Sequence, residues 1–523
     1  MSGILVHAGL VYSPGNPNAT SFVINNGSFA WIGDREASRV FEADVDYVVD
    51  LGDAFVAPGF VDAHVHLSAT GLQLSGLDLS AAQTAQQALD AVRIASVGQE
   101  GSLLGTGWDE SRWPDAHLWT TQAIQAVAGE RTVYLSRIDV HSAMCSASLL
   151  GRSDTSIELV SGIDHEFARK RVLSQLSAAQ RSASIDAALA YASRQGIVAV
   201  HEHGGPAISG IDDFRQVLFQ GCAKRGPKAF GYWGSSNIAE AQELGAIGAG
   251  GDLCVDGSLG SATALLLEAY QDSPSVGNSY LEEVEIVEHL ISATNAGMQA
   301  GFHAIGDEAI ARIVRGLERA AEVCGAGPVR QQRHRIEHAE MVSAVQLETL
   351  AKLGVVLSMQ PVFDELWGGR SGMYEQRLGS ERVATMNPFA DISSSGIVMA
   401  FGSDSPVTPM NPWRAIKAAA SHHNPAQRIS ARAAFAAHTR GGWRAIRDDN
   451  AGVIAVGAPA HFAAWQVEHY TVDVPDVRKT AWSVDPRSGT PPLPDLDEAY
   501  PINLLTCRSG MALYDAQNLW PHA

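Results

Sequence analysis

His64 and His66 lie two positions apart in PGFVDAHVHL, a segment whose apolar residues predict a β-strand. Because successive side chains of a strand alternate between its faces, both imidazoles leave the same face and can bind one metal ion about 2.0–2.1 Å from each nitrogen. An isolated His-x-His pair is a weak signal, and two half-exposed strand histidines are its commoner explanation. The pair therefore indicates a metal site only if further ligands accompany it.

Side chains of ligand type also end three later strand-like segments. His303 lies in AGFHAIGD, His338 in RIEHAE and Asp404 in AFGSDSP. If these segments are strands of one closed parallel barrel, their carboxyl ends converge on the same mouth. A buried carboxylate at that mouth is costly without a partner, and a metal ion supplies one. The pattern therefore predicts a metal centre with the ligands His64, His66, His303, His338 and Asp404.

Short apolar runs alternate with longer Ala-rich helical patterns from Pro58 onward. This alternation is typical of βα units and a parallel sheet. Eight runs carry polar residues at or near their ends, as a closed barrel with chemistry at its strand ends requires: FVDAHVHL, GIVAVHEHG, KAFGYWG, DLCVDGS, MQAGFHAIGD, RHRIEHAE, GVVLSMQP and GIVMAFGSD. We predict the α/β class and a (β/α)8 TIM-type barrel over residues 59–449.

Two more units are predicted around this barrel. Residues from about 70 to 175 break the βα rhythm after the first strand, which indicates an insertion over the barrel mouth. Short alternating runs in residues 1–58 and again in 450–523 are typical of antiparallel strands, so the two chain ends are expected to form one small split β-sandwich. Residues 471–500 are rich in Pro, Asp and Ser and are expected to be irregular.

Composition narrows the expected partners and compartment. The 523-residue chain carries 57 acidic and 37 basic residues, a net charge of −20, and no block of Lys or Arg, so neither nucleic acid nor an anionic membrane is an expected partner. Five cysteines without CxxC spacing favour a reducing cytoplasm over a disulfide framework. We expect neither a signal peptide nor a membrane span. A small-molecule substrate is the expected partner, and a homo-oligomer remains open.

The segments PGFVDAHVH, FHAIGD, RIEHAE and GSDSPV, in this order and spacing, resemble the amidohydrolase superfamily and in particular its YtcJ-like branch. That branch, of the amidohydrolase 3 type, includes N-substituted formamide deformylases, and the similarity spans nearly the whole chain. The resemblance implies that His64, His66 and Asp404 bind one metal ion, and that His303 and His338 bind a second. It also implies the split β-sandwich at the two chain ends.

The sequence departs from this branch on the predicted fourth strand. Relatives usually carry a lysine there, several residues before DGS, which is carboxylated and bridges two metal ions. Here the strand reads DLCVDGS, and Asp252 stands where that lysine would be. Asp252 is a candidate bridging carboxylate, although its side chain is several atoms shorter than carboxylated lysine. One metal ion and two metal ions are therefore both open, with zinc expected and Fe, Mn and Ni as alternatives.

The expected chemistry is hydrolysis by metal-activated water. A metal ion lowers the pKa of bound water to about 7 and polarises the scissile carbonyl. Asp404 is expected to take the water proton as general base and to deliver it to the leaving amine as general acid. His338 is a second candidate catalytic residue, because it or His303 could stabilise the tetrahedral oxyanion if ligation leaves it free.

Candidate substrate contacts come from the insertion and from the second strand. The segments GTGWDES and SRIDVHSAM resemble those that the YtcJ-like branch places over its active site, and AVHEHGG puts two histidines on one strand face. An arginine could grip a substrate carboxylate and a tryptophan could stack on an apolar group, while a salt bridge and a core tryptophan are the structural alternatives. The candidate residues are Trp108, Asp109, Arg137, His141 and His203.

Three functions remain in competition. The leading one is hydrolysis of an amide-like C–N bond, of the N-acyl or N-formyl amine type. The second is deamination with a single metal ion, which generally needs a carboxylate three residues after His303; that position is Gly306, although Asp307 is next to it. The third is a barrel that binds ligand without turnover, against which the retained ligand set argues.

Overall fold

Eight parallel strands form one sheet whose spatial order follows the chain. The computed structural model describes residues 3–97, 102–154, 156–222, 226–471 and 491–521. From first to eighth, the barrel strands are Phe60–Val65, Ile197–Gly204, Lys228–Trp233, Gly248–Ala249, Gln299–Ala304, Arg335–His338, Val356–Met359 and Val398–Phe401. The predicted (β/α)8 TIM-type barrel is confirmed.

The first and eighth strands meet at the barrel mouth, where backbone hydrogen bonds connect them. The Asp404 N–H donates to the His64 carbonyl at 2.8 Å, and the His66 N–H donates to the Ser405 carbonyl at 2.9 Å. These two bonds tie the segment after the eighth strand to the end of the first. The histidine pair and the aspartate are therefore held together by the closure of the barrel itself.

The fourth strand differs from its prediction. It comprises Gly248–Ala249, and the segment DLCVDGS that follows is not a strand. Gly250 and Gly251 have φ angles of 93° and 77°, in the left-handed region that side chains rarely adopt, so the strand ends before Asp252. Gly250 and Gly251 thus turn the chain out of the sheet.

Helices cover the outside of the barrel by burying one apolar face each. In Asp307–Cys324 the buried positions include Ile310, Ile313, Val314 and Leu317, at the three- and four-residue spacing of a single helix face. The helices associated with the barrel are Ala178–Arg194, Ile211–Cys222, Ile238–Glu243, Glu283–Asn295, Asp307–Cys324, Ala326–Gln332, Ala344–Lys352, Pro361–Trp367, Met373–Leu378, Ser380–Val383, Phe389–Ser395, Pro412–Ala420, Ala431–Ala436, the π-helix Ala437–Gly441, and Gly442–Ala445.

The insertion between the first two barrel strands has its own sheet. In spatial order its strands are Ile157–Ser161, Ser142–Ser146, Val133–Arg137, Leu103–Trp108 and Leu77–Asp78. Four helices accompany this sheet: Leu67–Ser75, Ala85–Ser96, Thr121–Ala128 and Gly162–Leu173. Short 3-10 turns occur here and elsewhere at Ala37–Phe41, Glu110–Arg112, Ala116–Leu118, Ala147–Leu150 and Pro425–Gln427. The insertion is thus a small α/β unit with its own apolar core.

Strands from both chain ends form a β-sandwich. One sheet has the order Ser28–Gly33, Ser21–Asn25, Ile4–His7 and Tyr47–Asp50. The other has the order Leu10–Val11, Phe55–Pro58, Phe462–Gln466, Ile502–Arg508 and Met511–Asp515, so it joins strands from both ends of the chain. Phe22, Phe29 and Phe462 pack together between the sheets. The predicted irregular stretch 471–500 contains most of a two-stranded ribbon, Tyr470–Thr471 with Leu493–Pro494, and its residues 472–490 lie outside the described residues.

The described residues bear on two expectations from the sequence, which concern disulfide bonds and membrane-spanning helices. All five cysteines are free thiols. None of the helices in the described ranges combines the length and the apolarity that a membrane crossing requires.

His334 makes the stability of the barrel sensitive to acid. Its buried ring accepts a hydrogen bond from the Ala300 N–H at 2.9 Å, and burial lowers its pKa to about 3. The unfolded chain therefore binds a proton below about pH 6.5 that the folded ring refuses. This ring's contribution to the unfolding free energy is complete above about pH 6.5 and decreases by up to about 1.4 kcal/mol per pH unit as the pH falls toward 3.

We predict that His334→Asn, which keeps an acceptor for the Ala300 N–H, makes the unfolding free energy fall less steeply between pH 6.5 and pH 4.5. Urea unfolding across that range measures the slope. The control is His469→Asn, because the His469 side chain is 64% exposed and its loss leaves the slope unchanged. An equal slope in wild type and His334→Asn would contradict the assignment.

Candidate metal centre

Four histidines and two aspartates meet at the barrel mouth. Asp404 comes from the end of the eighth strand and Asp252 from the turn after the fourth. The shortest contacts to Asp404 Oδ1 are 3.4 Å from His64 Nε2 and 3.2 Å from His66 Nε2. The contacts to Asp252 are 3.4 Å from His66 Nε2, 3.1 Å from His303 Nδ1, and 3.9 Å from each of His64 Nε2 and His338 Nε2. All six predicted ligands are therefore brought together.

Asp252 lies between the two candidate ligand groups, the pair His303 and His338 on one side and the group that contains His66 on the other. Its Oδ1 faces His303 and His338, and its Oδ2 faces His66. The Asp252 side chain is short, but it reaches the centre because the backbone before it passes close to the fifth strand. A Cβ on Gly250 would lie 2.1 Å from the Gly301 carbonyl oxygen, so only glycine permits this approach to the fifth strand.

The imidazoles present lone pairs toward the aspartates, because their other nitrogens are occupied. His64 Nδ1 donates to Glu337 Oε2 at 2.8 Å. The other three rings donate to acceptors outside the centre: His66 Nδ1 to the His203 carbonyl at 2.8 Å, His338 Nδ1 to Gln360 Oε1 at 2.8 Å and His303 Nε2 to the Gly257 carbonyl at 3.3 Å. In metal sites, hydrogen bonds from the ring nitrogen that does not bind the metal orient the histidine ligands.

These residues fit a divalent cation. His64 Nε2 and Asp404 Oδ1 are both buried without a hydrogen-bond partner, and they face each other as acceptor to acceptor. Such an arrangement is unfavourable unless a cation lies between the two atoms. Burial opposes protonation of His66 and His338, yet Asp404 and Asp252 raise the pKa of each to about 9. The carboxylates thus draw positive charge into the centre, which a metal ion supplies in place of protons.

Backbone strain accompanies this arrangement. Asp404 and His338 have φ angles of 54° and 70°, in the left-handed region that few non-glycine residues occupy. Each lies at the end of a barrel strand, where the unusual conformation turns the side chain into the mouth. Strain of this kind, about 1–3 kcal/mol per residue, is concentrated at functional sites.

Polar residues beneath the centre, not predicted from the sequence, support the candidate ligands. Arg335 and Glu337 are fully buried inside the barrel and form an ion pair, with Arg335 Nη2 also donating to Glu337 Oε2 at 2.9 Å. The pair lowers the pKa of Glu337 against the effect of burial, so the carboxylate that orients His64 stays charged. The available signal was the alternation of Arg335 and Glu337 in RIEHAE, which places both on the inner face of one strand.

His203 also lies beneath the centre. Its ring stacks between His64, at a centroid distance of 4.0 Å, and Tyr232, at 5.0 Å. Burial lowers its pKa well below the usual value, so the ring is neutral. In place of the predicted substrate contact, His203 therefore packs against the candidate ligand His64 from inside the barrel.

Two cavities reach the centre from the mouth. The larger lies between the barrel and the insertion and is bordered by His66, Asp252 and His141. The smaller is bordered by His303, His338, Asp404 and, again, His141. The His141 ring lies 5.2 Å from the His303 ring, and burial lowers its pKa to about 4. A neutral imidazole from the insertion therefore borders both cavities.

Arg137 and Asp109 link the insertion to the barrel. Arg137 borders the smaller cavity but already contacts three carboxylates: Asp139 at 2.8 Å, Glu110 at 3.0 Å and Asp109 at 3.3 Å. Asp109 also accepts a hydrogen bond from Trp367 Nε1 at 3.2 Å. The predicted substrate contacts of Arg137 and Asp109 therefore compete with an ion-pair network that is complete within the protein.

Trp108 belongs to the core of the insertion. Its indole N–H donates to the Leu135 carbonyl at 2.9 Å, and its ring packs against Trp119. It borders neither of the two cavities. The predicted stacking of Trp108 on a substrate is thus replaced by packing, because the strand Leu103–Trp108 turns this side chain inward.

We predict that Asp252→Ala lowers the metal content of the protein, because it removes the carboxylate that faces both ligand groups. Plasma mass spectrometry of protein purified without chelators measures the ions per chain. Cys254→Ser is the control, since this side chain lies two residues away and borders the larger cavity. Wild-type metal content in Asp252→Ala would contradict a ligand role for Asp252.

Comparisons with known proteins identify the family to which the chain belongs. A family model described as the amidohydrolase family matches residues 47–485. Protein LONG AFTER FAR-RED 3 of Arabidopsis thaliana is 27% identical over 516 residues, covering 88% of this chain and 87% of the relative. The putative amidohydrolase YtcJ of Bacillus subtilis (strain 168) is 26% identical over 475 residues, covering 81% and 86%. The N-substituted formamide deformylase of Arthrobacter pascens is 21% identical over 442 residues, covering 77% and 80%.

Solved structures share the fold. An uncharacterized metal-dependent hydrolase from Pyrococcus furiosus has a TM-score of 0.70 and 26% identity, covering 88% of this chain and 98% of that chain. Another from Pyrococcus horikoshii OT3 has a TM-score of 0.72 and 24% identity, covering 89% and 98%. Because the family model matches residues 47–485, most of the chain, the chain belongs to the amidohydrolase family, and its likeness to YtcJ and to the formamide deformylase supports the YtcJ-like branch.

Proposed function

We propose that this protein hydrolyses the amide-like C–N bond of a small N-acyl or N-formyl amine, with zinc as the resident metal. The observation that carries the proposal is the buried Asp404 Oδ1, which has no hydrogen-bond partner and lies within 3.4 Å of two imidazole nitrogens. Asp404 borders the smaller cavity. Imidazole nitrogens with carboxylate oxygens are a usual donor set for zinc, and Fe, Mn and Ni are alternatives. The A. pascens relative named N-substituted formamide deformylase supports the amide class.

The residues assigned to hold the ion are His64, His66, Asp404, His303 and His338, with Asp252 between the two groups. A bound divalent ion supplies Lewis-acid polarisation of the carbonyl and lowers the pKa of water to about 7. Asp404 takes a proton from the attacking water and later delivers it to the nitrogen of the leaving amine. Burial alone would raise the pKa of Asp404, but the neighbouring histidines lower it, so the carboxylate is ionised and ready to accept.

The hydrogen-bond donor to the developing oxyanion is assigned to His141. His338 is less suited to this role than the sequence suggests, because its Nδ1 donates to Gln360 and its Nε2 faces the metal ligands. His141 is neutral near pH 7 and borders both cavities, so it carries one N–H that can donate to a substrate oxygen.

Deamination finds less support at this centre. Gly306 carries no side chain at the position where a deaminase generally has a carboxylate, and a Cβ there would lie 2.0 Å from the Leu265 carbonyl oxygen. The neighbouring Asp307 accepts hydrogen bonds from the N–H groups of Leu267 and Glu308 with the same Oδ1, at the start of its helix. Neither residue supplies a proton shuttle. A barrel that binds without turnover is disfavoured because Asp404 and its histidines are all in place.

We predict that the zinc-reconstituted protein releases primary amine from N-formyl and N-acetyl amines, and that Asp404→Asn lowers kcat about 10²- to 10⁴-fold by removing the proton acceptor. A fluorescent primary-amine assay measures the rate, and metal content is checked in each variant. The control is Asp307→Asn, which leaves the amide rate unchanged. Ammonia release from amidines that Asp307→Asn abolishes, with no cleavage of any amide, would support deamination instead.

A further inference from the structure

The larger cavity has an apolar wall beside the metal centre. Its polar end is formed by His66 and Asp252, so a substrate bound there places its reacting carbonyl against the metal ligands. The side chains that make the rest of the wall apolar come from the insertion and its flanking helices: Leu72, Leu77, Leu104, Val140, Val172 and Leu173. The cavity therefore suits an apolar substituent on one side of the scissile bond.

Arg169 brings a positive charge to this apolar cavity. It lies in the helix Gly162–Leu173 and is half-buried. Its Nε donates to the Ala207 carbonyl at 3.0 Å, which fixes the plane of the guanidinium. Within the part of the chain that the structure describes, no carboxylate forms an ion pair with Arg169, whereas Arg137 contacts three. Its two terminal nitrogens are thus available to a ligand.

Neighbouring polar groups of the wall do not serve as partners for this charge. Tyr134 and His165 are bonded to each other, with 2.9 Å between the Tyr134 hydroxyl and His165 Nε2. Glu166 lies one helical turn before Arg169, is exposed, and is not within ion-pair distance. Burial is the main cause of the lowered pKa of His141, and the positive charge of Arg169 lowers that pKa further.

We propose that the substrate carries a carboxylate at the end of an apolar substituent, and that the two terminal nitrogens of Arg169 bind it. The proposal rests on the amide hydrolysis proposed above and names the class of amide: an N-acyl amine with an apolar spacer and a terminal carboxylate. A guanidinium matches a planar carboxylate with two parallel hydrogen bonds, and the apolar wall strengthens their electrostatics by excluding water. The guanidinium of Arg169, which has no carboxylate partner among the described residues, favours an anionic ligand at this end of the cavity.

The test compares a charged substrate with its neutral counterpart. The probes are N-formyl-6-aminohexanoate and its methyl ester, with amine release as the readout for the zinc-reconstituted full chain. We expect Arg169→Gln to lower kcat/KM for the carboxylate about 10- to 100-fold, mainly through KM, and to change that of the ester by less than about twofold. Arg171→Gln is the matched control, because Arg171 lies on the same helix, is exposed and does not border the cavity.

A binding measurement separates this proposal from the proposed reaction. Calorimetric titration of the same two probes into metal-free protein reports binding without turnover, and circular dichroism confirms that each variant is folded. The proposal is supported if the wild-type protein binds the carboxylate more tightly than the ester and Arg169→Gln abolishes this difference. This result would count even if no amide is cleaved. Equal binding of both probes, or an equal loss for both in Arg169→Gln, overturns it, and amide cleavage would then stand on its own.

Discussion

The structure depends on one electrostatic constraint at the barrel mouth: the acceptor atoms of two aspartates and four histidines face each other in a buried space. His64 Nε2 and Asp404 Oδ1 have no partner within the protein, and each histidine uses its other nitrogen to donate outward. Such a set of acceptors repels itself unless a cation is present. The remaining elements of the fold can be understood as the means of holding these acceptors together.

The backbone supplies that means at a small number of positions. Asp404 and His338 have left-handed conformations at the ends of their strands, and Gly250 and Gly251 end the fourth strand after two residues. The conformations of Asp404 and His338 are locally unfavourable and are held by the surrounding structure, whereas glycine adopts the positive φ angles of the fourth strand's end without strain. The bond from the Asp404 N–H to the His64 carbonyl is the clearest case, because it both closes the barrel and positions two ligands.

The rule that parallel strands converge at their carboxyl ends was enough to predict the barrel and five of the meeting residues from sequence. The same rule misplaced the fourth strand, because alternation within DLCVDGS suggested a strand where the glycines before it had already ended one. The side chains of Glu337 and His203 point into the barrel interior. A rule that considers only residues at the strand ends does not predict their positions beneath the centre. For Trp108 the sequence could not distinguish a substrate contact from core packing, because an apolar side chain near a site is compatible with both.

Two arginines of the insertion differ in their contacts, and this difference indicates which part of the chain determines substrate specificity. Arg137 forms ion pairs with Asp109, Glu110 and Asp139. Its charge therefore helps to hold the insertion against the barrel. Arg169 has its Nε held by a backbone carbonyl and its terminal nitrogens directed to no described carboxylate. In the proposed reaction, the barrel residues assigned to water activation are therefore separate from the insertion residue assigned to the substrate carboxylate. Substrate preference can then change through the insertion while the metal centre stays the same.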